Sequence, residues 1–497
     1  MSAERSQTAK SAVWSLVENG GLALISLGTL VIYTHLLSTT EFGLFSVVLA
    51  LIEMLQVLVT MFFHDALVQR PQVTERHFDT AFSFAMASSL VLMFGCCAAA
   101  PWFAASVGEP RVVPVLCAMT LCFPAAALSA TIVPRQRRSF AFRSLALRSL
   151  FGRLAGAAIG VALIVAGAGV WGLIAQQILI QAVGSAFLWK TCERRPRLRL
   201  GATELKELAG FGMYAVGSLF LSFGIKRLFT VAAGIFLGVE AAGYLNLSFR
   251  TIDVFWSIAS TAATQVALPM LASLQSDVPR LKRAFQQAMG LVCLILYASF
   301  LGIGLLAPEV VELMFGAKWL ASAPYVTALS CLVLIQAPRV LIAPLLTALG
   351  RPRDLVLGKA VELAFIAVAV AVTRVPTLGW AVAIWVVREL VALPVTVRML
   401  RSATGFSVAD QFRGAGVPLL ASLIMVAAVL LTRHALPPDF HALSRLLVLA
   451  LVGAVAFVGT VAILQRELLA RLFGFVQAAR GRGHAAPPAT LELSRSP

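Results

Sequence analysis

The sequence predicts an all-α polytopic membrane protein of about fourteen transmembrane helices, built as two pseudo-symmetric six-helix lobes followed by two C-terminal helices. Three observations favour this fold class. Of the 497 residues, 59% are hydrophobic and 13% are charged, which is about half the charged fraction of an ordinary soluble domain. Apolar runs recur along the chain at lengths near the roughly 20 residues that cross a bilayer core. Segments of the first half recur in the second half, and the runs are too long for the alternating strands of a transmembrane β-barrel.

The predicted helices follow one another with short connections. Residues 1–206 contain six spans and form the N-lobe, and residues 207–400 contain six more and form the C-lobe. Residues 401–465 hold the last two spans. Residues 466–497 are predicted to be a cytoplasmic tail with a disordered end, since that end is rich in Gly, Pro, Ala and Ser. The predicted spans are 11–36, 43–67, 81–106, 112–134, 147–168, 171–192, two within 209–274, 288–306, 321–348, 355–373, 378–400, 417–431 and 443–464.

The chain has 40 Lys and Arg residues and 23 Asp and Glu residues. The basic residues are concentrated in every second connection between predicted spans. Residues 135–143 and the linker 193–206 are two such basic segments. Because basic connections are retained in the cytoplasm, the pattern predicts that both termini are cytoplasmic. The net charge of +17 has no soluble domain to carry it, so no nucleic-acid partner is expected.

An internal repeat relates the two lobes at an offset of 200 residues. Gly43 matches Gly243, Ile52 matches Ile252, and Glu53 matches Asp253. Both halves begin on the same side of the membrane, so the repeats are predicted to be parallel, about an axis along the membrane normal. Transporters with such repeats place their substrate site between the lobes near the midplane.

The stretch 209–274 carries the main functional signal. Its first helix has Lys226 and Arg227 near the middle, and its second helix has a polar stripe on an otherwise apolar surface. Charges at this depth are costly unless they face protein or a water-filled cavity, so this pair of helices is predicted to line a cavity. The stripe consists of Asn246, Arg250, Asp253, Ser257, Thr261 and Thr264, and the second span has a matching stripe of Ser46, Glu53, Gln56, Thr60 and His64.

Several runs resemble signatures of lipid-linked oligosaccharide flippases, the Wzx-type polysaccharide-transporter branch of the multidrug/oligosaccharidyl-lipid/polysaccharide exporter superfamily. Taken together the runs are specific to that branch, and the resemblance covers residues 5–465. One departure is that relatives often have an acidic residue near Lys226 and Arg227, which indicates a more cationic cavity here. The runs are LLSTTEFGLFSVVLAL (36–51), FLGVEAAGYLNLSFRTIDV (236–254), LPMLASLQSDVPRLKRAF (268–285), APEVVELMFGAKWLASAP (307–324) and LTALGRPRDL (346–355).

The resemblance implies a function. Such a protein moves polyprenyl-pyrophosphate-linked oligosaccharide units across the bacterial inner membrane, by alternating access between two lobes. The units serve exopolysaccharide, capsule or O-antigen synthesis, and the expected partners are this lipid-linked substrate, the bilayer and a polysaccharide polymerase. One rival interpretation is a cation-coupled multidrug exporter of the same superfamily, which favours anionic cavity residues. A second rival is a membrane polymerase or ligase, which needs a large periplasmic loop with catalytic residues.

The cations of the central stretch are the candidate pyrophosphate ligands. Lys226 and Arg227 are expected to neutralise the pyrophosphate; the alternative is a structural ion pair with Asp253 or Glu18. Arg250 suits bidentate phosphate contact, and the alternative is an i,i+3 ion pair with Asp253 that neutralises both side chains.

The buried carboxylates and a second group of charged residues complete the candidate set. Glu18, Glu53 and Asp253 are candidates for proton or sodium coupling, or else they pair with the cations. Asn246 belongs to the polar stripe, and Arg339 is expected on the C-lobe side of the cavity. Weaker candidates are Arg148, expected at the cytoplasmic rim, together with Arg153, Glu362, Arg388 and Glu389.

Catalytic and cofactor motifs are absent from the sequence. No Walker A sequence and no Gly-x-Ser-x-Gly elbow occur, and none of the six histidines pairs with a carboxylate at useful spacing within a span. The seven cysteines lie mostly inside apolar runs without metal-ligand spacing and are interpreted as small core residues. We therefore expect a non-enzymatic transporter without a metal or cofactor.

The charge pattern makes a topology prediction. In a cysteine-free background, cysteine at Thr40 or Ala435 should react with a membrane-impermeant maleimide in intact cells, whereas cysteine at Ser139 should react only after permeabilisation. Labelling at Ser139 in intact cells would reverse the predicted orientation.

Overall fold

The computed structural model describes residues 2–70, 72–272, 277–349, 351–437 and 440–464. These residues form helices joined by short turns, with no strand among them. The predicted tail, residues 466–497, lies outside the described residues. An all-helical architecture satisfies every backbone group within its own segment, as a bilayer requires.

Fifteen helical segments of the described residues are labelled here in chain order. Some of them contain a short turn, such as the break in α2 around Met61. The segments are α1 Ser2–Leu36, α2 Thr39–Gln69, α3 Glu75–Val107, α4 Val112–Arg138, α5 Phe142–Val165, α6 Val170–Thr191, α7 Ala202–Leu237, α8 Val239–Ala272, α9 Val278–Leu305, α10 Ala307–Phe315, α11 Ala317–Thr347, α12 Pro352–Thr373, α13 Leu378–Thr404, α14 Val408–Ala435 and α15 Ala442–Leu464.

Among the described residues, 11 helices are long and apolar enough to cross a membrane, and Gly20–Leu36 of α1 forms a shorter apolar helix. The 11 helices coincide with predicted spans two to six and nine to fourteen. The remaining two predicted spans lie in α7 and α8, which are continuous over 36 and 34 residues. The all-α polytopic fold class is confirmed, while the number of fourteen spans stays a prediction.

Local sequence signals set several helix ends. Ser38 accepts a hydrogen bond from the backbone N–H of Glu41, whose side chain in turn accepts from Ser38, so a capping box begins α2. Gly108 ends α3 with a φ of +73°, a left-handed conformation that glycine adopts without steric cost.

The last two helices pack against α9 and α10. Met425 of α14 and Phe457 of α15 share a buried cluster with Phe285 and Met289 of α9. At one end, Arg433 of α14 also donates a 2.6 Å hydrogen bond to the buried carboxylate of Glu309 in α10. These contacts fix α14 and α15 against α9 and α10.

Close contacts join the two lobes at the end of the molecule that holds the α1–α2 turn. Thr39 donates a 2.9 Å hydrogen bond to Glu240, and the buried Trp319 indole donates to the carbonyl of Thr34 at 3.0 Å. Lys318 donates to the carbonyls of His35 and Leu37 at 3.0 and 2.7 Å. The lobes are therefore held together at this end, which the charge pattern predicts to be periplasmic.

Gly43 and Gly243 lie at the centre of this closed end. A Cβ added to Gly243 would lie 3.1 Å from Cα of Gly43, and one added to Gly43 would lie 1.9 Å from the carbonyl oxygen of Val239. The two glycines occupy equivalent positions of the repeat. Their small size therefore lets the backbones of α2 and α8 cross in direct contact at positions that the predicted repeat relates.

The glycine contact gives a stability prediction. Gly43→Ala should destabilise the closed arrangement by about 1–3 kcal/mol, because backbone atoms of α8 must move to make room. Gly302→Ala is the matched control, since its Cβ meets nothing within 4 Å and alanine favours a helix. Thermal unfolding of the purified protein should show a lower midpoint for the first variant only. Equal midpoints for the two variants would contradict the close contact.

Candidate functional site

A cavity of about 600 Å³ lies within the N-lobe, and we call it the N-lobe cavity. Its walls come from α1, α2, α4, α5 and α6, and α8 of the other lobe contributes one side chain, Arg250. Four members of the predicted second-span stripe line it, namely Glu53, Gln56, Thr60 and His64. The fifth, Ser46, is buried and donates to the carbonyl of Phe42.

Three arginines line the N-lobe cavity: Arg137, Arg153 and Arg250. Among the residues whose side chains the structure describes, neither Arg153 nor Arg250 forms an ion pair with a carboxylate. The Nε atom of Arg153 is buried and has no hydrogen-bond partner. Guanidinium groups held in a cavity without a carboxylate partner have donors left for an anionic ligand.

A glutamine wall faces the same cavity. Gln176, Gln177 and Gln181 of α6 line it together with Gln56 of α2. Each carboxamide offers two N–H donors and one oxygen acceptor. Such groups match the hydroxyls of a sugar, which both donate and accept hydrogen bonds.

The adjacent cations Lys226 and Arg227 of α7 bind two different acids. Lys226 forms an ion pair with Asp253 of α8 and lies 4.5 Å from the ring centroid of Phe249. Arg227 contacts Glu53 of α2 at 2.6 Å, which crosses from one lobe to the other. Glu53 and Asp253 are equivalent positions of the repeat, so the two cations fix α7 between two equivalent helices.

A second cavity of about 810 Å³, the C-lobe cavity, lies among α7, α8, α11, α12 and α13. A charge network lines it, in which Glu389 accepts from Arg339 at 2.5 Å and also pairs with Arg388. Glu362, which is 2% exposed, contacts Lys359 at 2.9 Å and Arg388 at 3.7 Å. Three cations therefore neutralise two carboxylates, as buried charges require.

The structure separates the predicted site residues into two groups. Arg250 and Glu53 line the N-lobe cavity, whereas Lys226, Asp253 and Arg339 line the C-lobe cavity. The sequence predicted one cavity shared by these residues, whereas the described residues form two cavities. In particular, Asp253 contacts Lys226, and the anticipated Arg250–Asp253 ion pair does not form.

Other candidates lie away from the described cavity walls. Glu18 of α1 accepts a 2.6 Å hydrogen bond from Ser149 of α5. Asn246 is buried, and its side-chain oxygen has no hydrogen-bond partner. Arg148 packs beside Gly184. The side chains of Ser257, Thr261 and Thr264 lie outside those that the structure describes.

Sequence reasoning gave too little weight to Arg153 and missed the glutamine wall. A usable signal was present, since Gln176, Gln177 and Gln181 are three large polar residues within six positions of an otherwise apolar span. Arg153 had no such signal, because it follows the basic connection 135–143 and resembles an extension of it. Lys359 of the C-lobe network was likewise not among the predicted site residues.

Comparison with known proteins matches this chain to a family of polysaccharide biosynthesis proteins. Residues 32–324 match the family model described as "Polysaccharide biosynthesis protein". The succinoglycan biosynthesis transport protein ExoT of Rhizobium meliloti is 23% identical over 96% of this chain and 97% of its own length. The resemblance inferred from the sequence is thereby confirmed.

Solved structures share the fold. The lipid II flippase MurJ in an inward closed conformation gives a TM-score of 0.74 at 12% identity, covering 92% of this chain and all of its own. An inward-facing multidrug resistance transporter of the MATE family, from the MOP superfamily, gives a TM-score of 0.58 at 16% identity, covering 78% of this chain and 96% of its own. The chain thus shares the fold of these two transporters, and the TM-score is higher for the flippase.

The two ion pairs of α7 predict a specific pattern of energetic coupling. Double-mutant cycles for Arg227 with Glu53 and for Lys226 with Asp253 should each give a coupling energy of about 0.5–3 kcal/mol in thermal unfolding. The exchanged cycle, Lys226 with Glu53, should give a smaller value, because those side chains do not form a pair. Equal coupling in all three cycles would contradict the assigned partners.

Proposed function

The chain belongs to the polysaccharide biosynthesis protein family, and from this premise we propose that it flips polyprenyl-pyrophosphate-linked oligosaccharide units across the bacterial inner membrane. It is a multi-pass membrane protein with the fold of flippases and transporters. The name of its relative ExoT, a succinoglycan biosynthesis transport protein, supports an exopolysaccharide, capsule or O-antigen precursor as cargo.

The arginines of the N-lobe cavity carry the proposal. A pyrophosphate has at least two negative charges, and its desolvation in a bilayer costs many kcal/mol unless cations lie close to it. Arg153 and Arg250 supply guanidinium groups that form no ion pair with a described carboxylate, although Glu53 on the same cavity wall, itself paired with Arg227, attracts both. We assign the pyrophosphate to these two side chains, and Arg137 of the same cavity wall is placed to attract it on entry.

The glutamine wall suits the sugar part of the substrate. Carboxamides bind hydroxyls without fixing the identity of the sugar, and a volume of about 600 Å³ lies within the usual range of ligand cavities. The polyprenyl chain requires no polar site and remains in the lipid between helices. This division of roles follows the chemistry of the three parts of the substrate.

Transport requires the closed end to open. The contacts of Lys318 and Trp319 with the end of α1 hold the lobes together at the predicted periplasmic side, so loading occurs from the cytoplasmic side. Arg227 and Glu53 belong to different lobes, so their ion pair opposes movement of one lobe against the other. In this scheme both termini are cytoplasmic, and a polymerase receives the translocated unit.

The rival functions fit less well. A multidrug exporter of cationic compounds needs an anionic cavity, whereas three arginines and two acids line the N-lobe cavity, and one of those acids, Asp65, is hydrogen-bonded to His64. A polymerase or ligase needs a large periplasmic loop, and the described turns at the predicted periplasmic end are short. We therefore propose that the chain itself performs transport and no covalent chemistry.

Substitution of the cavity arginines tests the proposal. Arg153→Ala and Arg250→Ala should each reduce export about tenfold or more, because a charged hydrogen bond contributes roughly 1.5–3 kcal/mol. Lipid-linked repeat units should then accumulate inside the cell. Arg250→Lys should restore little, since the planar fork is lost. Surface polysaccharide, lipid-linked intermediates and membrane protein level are measured together.

Two controls separate binding from structure. Arg398→Ala removes an exposed arginine outside both cavities and should leave export unchanged. Lys226→Ala leaves Asp253 without its partner, so any loss should be recovered by adding Asp253→Asn. Recovery of Arg250→Ala by Asp253→Asn, or full export by an expressed Arg153→Ala and Arg250→Ala double variant, would overturn the assigned pyrophosphate site.

A further inference from the structure

The linker between the lobes contains a short extended segment, residues 195–200, which we call the strap. It lies between the end of α6 and the start of α7, and its sequence is Arg-Pro-Arg-Leu-Arg-Leu. Apart from Pro196, its residues are exposed, and Leu198 and Leu200 are 71% and 68% exposed. Two neighbouring leucines this exposed are unusual outside a surface that meets lipid or a partner.

Main-chain hydrogen bonds hold the strap against the first turns of α3. The backbone N–H groups of Arg197 and Arg199 donate to Asp79 Oδ1 at 2.9 Å and Ser83 Oγ at 2.7 Å. The Ser83 hydroxyl also donates to the carbonyl of Arg199 at 3.0 Å, and Gly201 donates to Thr80 at 3.1 Å. The acceptors Asp79, Thr80 and Ser83 are all buried.

This anchoring leaves the strap side chains free for another role. The hydrogen bonds use backbone groups, and within the described residues Arg195, Arg197 and Arg199 form no ion pair. In an extended chain, alternate side chains point to opposite faces. Leu198 and Leu200 therefore share one face, and Arg197 and Arg199 share the other.

The position of the strap beside the start of α3 indicates which molecule it contacts. The strap crosses the start of α3, whose exposed Val91 and Phe94 lie further along the same helix, so it lies where the helix enters the bilayer. At that depth the leucine face meets the edge of the hydrocarbon and the arginine face meets the phosphates. Clusters of Lys and Arg beside the ends of transmembrane helices favour anionic lipids, and a guanidinium binds phosphate in bidentate geometry.

We propose that the strap is a binding site for anionic phospholipid headgroups of the leaflet next to the linker. The charge balance supports an anionic rather than a zwitterionic lipid. Arg194 contacts Glu75 at 3.4 Å, but the three strap arginines have no such acid among the described residues. The site is separate from both cavities and does not depend on the proposed substrate.

Lipid titration of the full-length protein tests the site. Detergent-purified protein is titrated with phosphatidylglycerol or phosphatidylcholine, and bound lipid is counted by native mass spectrometry. The wild-type protein should retain phosphatidylglycerol more strongly. The variant Arg195→Gln, Arg197→Gln and Arg199→Gln should lose about fivefold in affinity for each arginine removed. Replacement of the same three residues by lysine should retain most of the binding.

A matched control removes equal charge elsewhere. Arg283→Gln, Arg398→Gln and Arg401→Gln alter exposed arginines of the C-lobe at the same predicted side and should leave binding unchanged. Leu198→Ser with Leu200→Ser should weaken it, because the apolar contact is lost. The proposal would be overturned if either the glutamine variant or the serine variant bound phosphatidylglycerol as strongly as the wild-type protein. It would also be overturned if the control variant lost as much binding as the glutamine variant. Equal retention of the two lipids by the wild-type protein would do so too.

Discussion

Two adjacent cations on α7 hold the centre of the molecule together. Lys226 binds Asp253 within the C-lobe, and Arg227 binds Glu53 across the lobe boundary. A charge in the middle of a bilayer is tolerated only when it is paired or hydrated, so each cation needs its acid and each acid its cation. The two acids occupy positions that the predicted repeat relates, so one dipeptide of α7 contacts both α2 and α8.

This pairing determines which cations remain for a ligand. Lys226, Arg227 and the cations of the C-lobe network all contact acids, whereas Arg153 and Arg250 of the N-lobe cavity form no ion pair with a carboxylate among the described side chains. The closed end at Gly43 and Gly243 excludes one route to that cavity. The ion pairs, the contact between α2 and α8 and the polar lining of the N-lobe cavity therefore all favour one kind of ligand. It has an anionic headgroup with attached sugars, and it enters the cavity from the end opposite the closed end.

Sequence reasoning predicted the fold class, most helix positions and the polar faces, because apolar run length and periodicity are local properties. It also placed Lys226 and Arg227 near the middle of one helix of the central stretch. It named Asp253 as one possible partner of these cations, and Lys226 contacts it. It did not identify Glu53 as the partner of Arg227, since these side chains meet only through the packing of two lobes. The i,i+3 spacing of Arg250 and Asp253 suggested an ion pair, but the contact of Asp253 with Lys226 on α7 replaced it. Arg153 and the glutamine wall needed the tertiary structure, because their importance arises from what faces them.

A reconstituted flipping assay tests the central claim most directly. Purified protein in liposomes is given a polyprenyl-pyrophosphate-linked oligosaccharide on one side, and a sugar-specific probe on the other side reports its arrival. The account predicts that wild-type protein transfers this lipid, that removal of the pyrophosphate charge abolishes transfer, and that the Arg153→Ala and Arg250→Ala double variant is inactive while still folded. Equal transfer by the double variant, or preference for a cationic drug over the anionic lipid, would contradict it.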